Sequence, residues 1–132
     1  MDDVIAWLHK WQALINQGDI DAARPLFDED VVAYGSLINT MEGKSDLVRR
    51  QWSAVWPRIK NFTFDLDHIH VFGKDGEQLV VVAVPWHSLG RRADGWYDRR
   101  GRASLVLRRT ADGYVCQHSH FSMEPGIPAI AD

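Results

Sequence analysis

Arg100-Gly101-Arg102-Ala103-Ser104-Leu105-Val106-Leu107-Arg108-Arg109 runs into a turn at Ala111-Asp112-Gly113. Tyr114-Val115-Cys116-Gln117-His118-Ser119-His120-Phe121-Ser122 follows, with Pro125 just beyond. Two strand-like runs joined by a short Asp-Gly turn predict a β-hairpin, with Gly113 free to take positive φ and no helix between Ala103 and Ser122. Strict alternation in the second run predicts that Tyr114, Cys116, His118, His120 and Ser122 share one face. Upstream, Gln78 to Ser88 is nearly continuous in apolar residues, the pattern of a strand covered on both faces. A turn at Gly73-Lys74-Asp75-Gly76 precedes it, and a polar loop around Gly90 to Gly95 is expected after it. Further back, Phe62, Phe64 and Leu66 alternate with Thr63, Asp65 and Asp67, predicting another strand.

The first part of the chain is helical in period. Asp2 or Asp3 can cap a helix carrying Val4, Ile5, Leu8, Trp11, Leu14 and Ile15, which Gly18 stops. Asp19 can cap a second helix through Ala22, Ala23, Leu26 and Phe27, followed by a short strand, Val31 to Tyr34. A third helix, entered at Gly43 and Ser45, carries Leu47, Val48, Gln51, Trp52, Val55 and Trp56 and is expected to end at Pro57. Helices followed by consecutive strands predict an α+β domain spanning residues 1–132, with a curved antiparallel or mixed sheet wrapped over three N-terminal helices.

Bulk composition narrows the classes of function. Of 132 residues, 45% are hydrophobic and 25% charged, an ordinary globular balance rather than a disordered one. The net charge of -3 offers no general attraction to nucleic acid or to an anionic membrane. One cysteine, Cys116, excludes an internal disulfide and reads as a small core hydrophobe. No apolar run approaches the ~20 residues of a membrane span. The first residues lack the basic and apolar regions of a signal peptide, so a cytoplasmic protein is expected.

The closing hairpin resembles the end of SnoaL-like domains of the nuclear transport factor two-like superfamily, where a similar Gly-Arg, Leu-Val-Leu-Arg-Arg, Asp-Gly, His-x-His, Ser and Pro pattern closes a cone-shaped sheet. Gly18-Asp19-Ile20-Asp21-Ala22-Ala23, then Leu26-Phe27-Asp28-Glu29-Asp30-Val31-Val32, is similar to that superfamily's helix-to-strand segment. Gly43 matches its entry to the third helix. The resemblance covers nearly the whole chain. It implies a cone with a cavity at the open end, a dimer paired through the outer face of the sheet, and a small organic ligand. Its best-understood catalytic branch, the ketosteroid isomerases, uses an Asp base and an oxyanion hole of Tyr and protonated Asp. Aligned through Gly18-Asp19 and Val31-Val32, this chain has Tyr34 at the base position and Trp11 at the first-helix tyrosine. A phenol is a poor base near neutrality and an indole N–H only donates, which argues against that reaction.

Several side chains remain as candidates for chemistry. His120 or Asp65 is the candidate catalytic base, since imidazole titrates near neutral pH and a desolvated carboxyl can be raised toward it. Trp11, Tyr34, Trp52, Trp56 and Trp86, with His118, are expected to line a pocket for a flat apolar ligand. Seven arginines fall between Arg91 and Arg109 against only Asp94 and Asp98. They read as a solvated rim, from which Arg102 could steer a carboxylate or phosphate on a ligand. His68-Ile69-His70 and His118-Ser119-His120 each have metal-ligand spacing, but no CxxC or HExxH supports them, so neither metal nor cofactor is expected. The chain is therefore read as a pocket protein, either a metal-independent acid–base enzyme of isomerase, cyclase or hydrolase type, or a non-catalytic ligand-binding or dimerisation module. A His-rich metal site stands as a further alternative.

Overall fold

The structure, a computed structural model, describes residues 2–74 and 76–131. Helix α1 (Asp2–Gln17) is followed by α2 (Ile20–Ala23), β1 (Phe27–Tyr34) and β2 (Met41–Glu42). Helices α3 (Lys44–Leu47) and α4 (Ser53–Val55) come next, then β3 (Ile59–Phe64), β4 (His70–Phe72), β5 (Leu79–Arg92), β6 (Gly95–Thr110) and β7 (Gly113–Met123). The strands form one curved mixed sheet in the order β2-β1-β7-β6-β5-β3, with β4 paired to β5. Among the described residues β1 and β7 run parallel and the other pairs are antiparallel. The fold is the α+β arrangement that the sequence predicts.

Helix α1 buries Val4, Trp7, Leu8, Trp11 and Ile15 against the concave face of the sheet. That stripe recurs at helical spacing and carries the apolar burial that holds the helix down. Side chains of α1 also seal the edge strand β3. Asn16 donates to the Phe62 carbonyl and accepts from the Phe62 N–H, both at 2.8 Å, and Gln12 accepts from the Phe64 N–H at 2.8 Å. An open strand edge is thereby given partners by a helix. Among the described residues no helix is long and apolar enough to cross a membrane.

The closing hairpin turns at Ala111 and Asp112, with Thr110 paired to Gly113 and Gly113 at φ 122°. Elsewhere the structure departs from the expected elements. The second helix stops at Ala23, because Pro25 lacks the N–H a further α-turn needs; a 3₁₀ turn over Arg24–Leu26 follows. Strand β1 then begins at Phe27, earlier than Val31. The third helix is not continuous: a π-helical segment, Val48–Trp52, separates α3 from α4, and Pro57 sits inside a final 3₁₀ turn, Trp56–Arg58. Gly90 to Gly95 is not a loop, since β5 runs on to Arg92 and turns tightly to pair Arg92 with Gly95. In the single chain β5 is covered on one face only: Val80, Val82 and Val84 are buried while Leu79 and Val81 are exposed. The expected turn at Gly73 to Gly76 includes Asp75, which lies outside the described residues.

Candidate functional site

The concave face holds a partly open cavity of about 50 Å³ between α1, the helical stretch of residues 44–58 and strands β3, β5, β6 and β7. Its walls are aromatic. Trp52 and Trp56 stack at 4.7 Å between centroids, Phe62 stacks on Trp86 at 5.5 Å, and Trp11 meets Phe121 edge-on at 5.6 Å. Local backbone geometry creates these positions. The wide turn of the π segment brings the consecutive residues Gln51 and Trp52 both inward, a distortion common at functional sites. Trp86 lies flat on Gly101, where an added Cβ would stand 2.4 Å from its ring.

The cavity's charged group is Arg99, which is 2% exposed. Its Nε donates to the Ala129 carbonyl at 2.7 Å, Nη1 to Ser88 Oγ at 3.2 Å and Nη2 to Ser36 Oγ at 3.4 Å, and its guanidinium covers the Trp86 ring at 5.0 Å. Among the described residues no carboxylate lies within 4.0 Å of it. Desolvation draws its pKa below the ordinary arginine value, with Tyr97 opposing the shift. A buried cation with only neutral partners is costly and attracts an anion. Gln51 extends the polar patch: its Oε1 accepts from Leu37 and Ile38 N–H at 3.3 and 3.2 Å, and its Nε2 donates to Ser36 Oγ at 3.0 Å. Trp11 and Trp86 line the same space with buried ring N–H groups that have no acceptor among the described residues. Donors are in surplus, and among the lining residues described none is Asp, Glu or His.

The residues singled out from sequence divide into two groups. Trp11, Tyr34, Trp52, Trp56 and Trp86 all line the cavity, Tyr34 from its mouth with 40% of its surface exposed. The structure places His118, His120, Asp65 and Arg102 elsewhere. A β-bulge between Val106 and Leu107 reverses the alternation in β7, so Cys116 and Ser119 are buried while His120 is exposed. His118 therefore packs at the outer face, its Nδ1 donating to the Val32 carbonyl at 2.6 Å, and both imidazoles lie edge-on to the Tyr34 ring. Asp65 is not on a strand face: β3 ends at Phe64, and Asp65 accepts from His68 Nδ1 at 2.8 Å beside a surface 3₁₀ turn, Leu66–His68. Arg102 is exposed, its Nε 3.1 Å from Ser122 Oγ. The two His-x-His pairs are not brought together; among the described residues no group of three His, Cys, Asp or Glu could hold a metal.

Arg99, Gln51, Ser36 and Ser119 are the polar lining residues that sequence reasoning missed. A signal for Arg99 existed. Tyr97, Arg99, Gly101, Ala103, Leu105 and Leu107 alternate along β6 and are all buried, so Arg99 is a lone charge on an apolar face.

Comparison with known proteins comes from sequence and from structure. The family described as SnoaL-like domain matches residues 4–125. No curated protein sequence matches the chain at a significant level. A nuclear transport factor 2-like superfamily protein from Salmonella enterica superposes with a TM-score of 0.76 at 17% identity, covering 95% of this chain and 92% of that one. The association domain of CaMKII from C. elegans gives 0.71 at 19% identity, covering 92% and 93%. An NTF2-like protein with a cystatin-like fold from Novosphingobium aromaticivorans gives 0.72 at 13% identity, covering 95% and 82%. These likenesses concern the fold.

Proposed function

The chain belongs to the SnoaL-like domain family, and from that premise we propose that it is a single-domain pocket protein that binds a small, flat organic anion. The observation that carries this is Arg99, a buried guanidinium in an aromatic cavity with no carboxylate partner among the described residues. A ligand carboxylate would supply the missing charge through charge-assisted hydrogen bonds, while the indole and phenyl rings accept its apolar body. Ligand binding is favoured over acid–base turnover, because the described lining residues offer donors but no carboxylate or imidazole base. The largely apolar ligand that the sequence implies thus carries one negative group.

Benzoate and its neutral isostere benzamide test the reading. Calorimetry should detect benzoate binding and weaker benzamide binding, and Arg99→Met should weaken benzoate by at least ~10-fold, the worth of one or two hydrogen bonds to a charge. Equal affinities for the two ligands, or unchanged benzoate affinity in the variant, would reject an anion site.

The protein is also proposed to act as a homodimer paired through the outer face of the sheet. Val32, Leu79 and Val81 are exposed there, and the likeness to an association domain supports a self-associating surface.

A further inference from the structure

We propose that Ser36 is the second residue that recognises the ligand's acid group, its hydroxyl held by Gln51 and Arg99 as a hydrogen-bond donor to the carboxylate. The proposal rests on reading the cavity as an anion site and names the neutral donor that completes it.

Hydrogen bonds around Gln51 run in one direction. The Leu37 and Ile38 N–H groups can only donate, so the carboxamide atom facing them, at 3.3 and 3.2 Å, is the oxygen. The other atom is then Nε2, a donor, and it stands 3.0 Å from Ser36 Oγ. Arg99 Nη2, which also only donates, stands 3.4 Å from the same hydroxyl oxygen. A serine hydroxyl has two acceptor positions and one proton. Both positions face N–H donors, so the proton is left to donate elsewhere, and among the described residues it has no acceptor.

That free proton belongs to the cavity. Of the three described partners of Arg99, Ser36 lines the cavity whereas Ser88 and Ala129 do not. Nη2 is therefore the arm of the guanidinium on the cavity side, and it keeps a second N–H beyond the one given to Ser36. A carboxylate placed here accepts from that N–H and from the adjoining hydroxyl, and its negative charge strengthens both bonds.

The loop that carries Ser36 is shaped to hold this arrangement. Gly35, another lining residue, lies so close to Gln51 that an added Cβ would stand 2.5 Å from Oε1. Its N–H closes the loop onto the Ile38 carbonyl at 2.9 Å. The π-helical segment in turn brings Gln51 inward to meet the loop. Gln51 acts through Ser36, whose proton it directs, and is a positioning residue.

Calorimetry with benzoate on the parent, Ser36→Ala, Ser36→Thr and Gln51→Glu tests this. A serine that only accepts from Arg99 and a serine that donates to the ligand predict opposite signs. Removing a mere acceptor frees a guanidinium N–H, so benzoate would bind as tightly as before or more so. Removing a donor should weaken benzoate about tenfold. Ser36→Thr keeps the hydroxyl and should bind benzoate more tightly than Ser36→Ala. In Gln51→Glu one carboxylate oxygen still accepts from Leu37 and Ile38, while the other accepts the Ser36 proton and brings a negative charge beside the site. Benzoate binding should then fall by roughly a hundredfold. Circular dichroism checks each fold; if Ser36→Ala does not fold, Gln51→Glu decides, and unchanged benzoate affinity there overturns the proposal. Arg99-dependent binding that Ser36→Ala leaves unchanged or tightens overturns the donor and leaves the anion site standing. Absence of any Arg99-dependent binding overturns the anion site, and the donor with it.

Discussion

Arg99 and Cys116 are both buried, and their chemistry diverges. Among the described residues Arg99 has no carboxylate partner, and replacing such a buried charge by an unbranched apolar side chain removes its desolvation penalty, so Arg99→Met should be as stable as the parent or up to ~2 kcal/mol more stable. Thermal unfolding checks this, and an intact Tm beside lost benzoate binding would separate a functional arginine from a structural one. Cys116 is fully buried, and burial pushes its thiol pKa well up, so the reactive thiolate is not formed. A chromogenic disulfide reagent should leave it unlabelled in the native protein and label it stoichiometrically after denaturation. Cys116 as a small hydrophobe was legible from its strand context. Arg99 was harder to read, since its neighbours Arg100 and Arg102 are solvated and a count of arginines does not distinguish the one that points inward.

At the scale of elements, the seal between α1 and β3 is the contact with the clearest energetic consequence. Asn16→Ala would strip the Phe62 N–H and carbonyl of their partners, and leaving such backbone groups unsatisfied should cost about 2 kcal/mol. Urea denaturation measures the loss; an unchanged midpoint would mean that water replaces the side chain freely. The seal was invisible in sequence, because Gln12 and Asn16 read as ordinary solvated positions beside an apolar stripe. The alternating face of β7 was misread for a different reason. A bulge adds one residue at Gln117 and exchanges inside for outside, so His120 moves to the surface while Ser119 and Phe121 reach the cavity. Turn chemistry was more dependable: Asp112-Gly113 folded as its residue types require.

For the whole molecule, the proposed dimer makes the sharpest demand. Val81, Val106 and His118 lie in register across β5, β6 and β7, and Val32 continues the row on β1. Val81→Lys should convert a dimer, expected to bury more than roughly 1,000 Å² in total, into a monomer of unchanged fold by light scattering and circular dichroism. A monomeric parent at tens of micromolar would reject the pairing. Fold class was readable because the order of helices and strands survives errors at every boundary. The cavity's charge was not, because it depends on which single residue of a long strand faces in.

The parallel pairing of β1 with β7 has a temporal consequence. Phe27 must meet Cys116, and Tyr34 must meet His120, with most of the chain intervening. During synthesis β1 emerges early and finds only the two-residue β2 beside it, so its other edge waits for the last strand to leave the ribosome. Loop closure of that span is slow compared with hairpin formation, so the antiparallel β5-β6-β7 meander should assemble first and the join to β1 should limit the refolding rate.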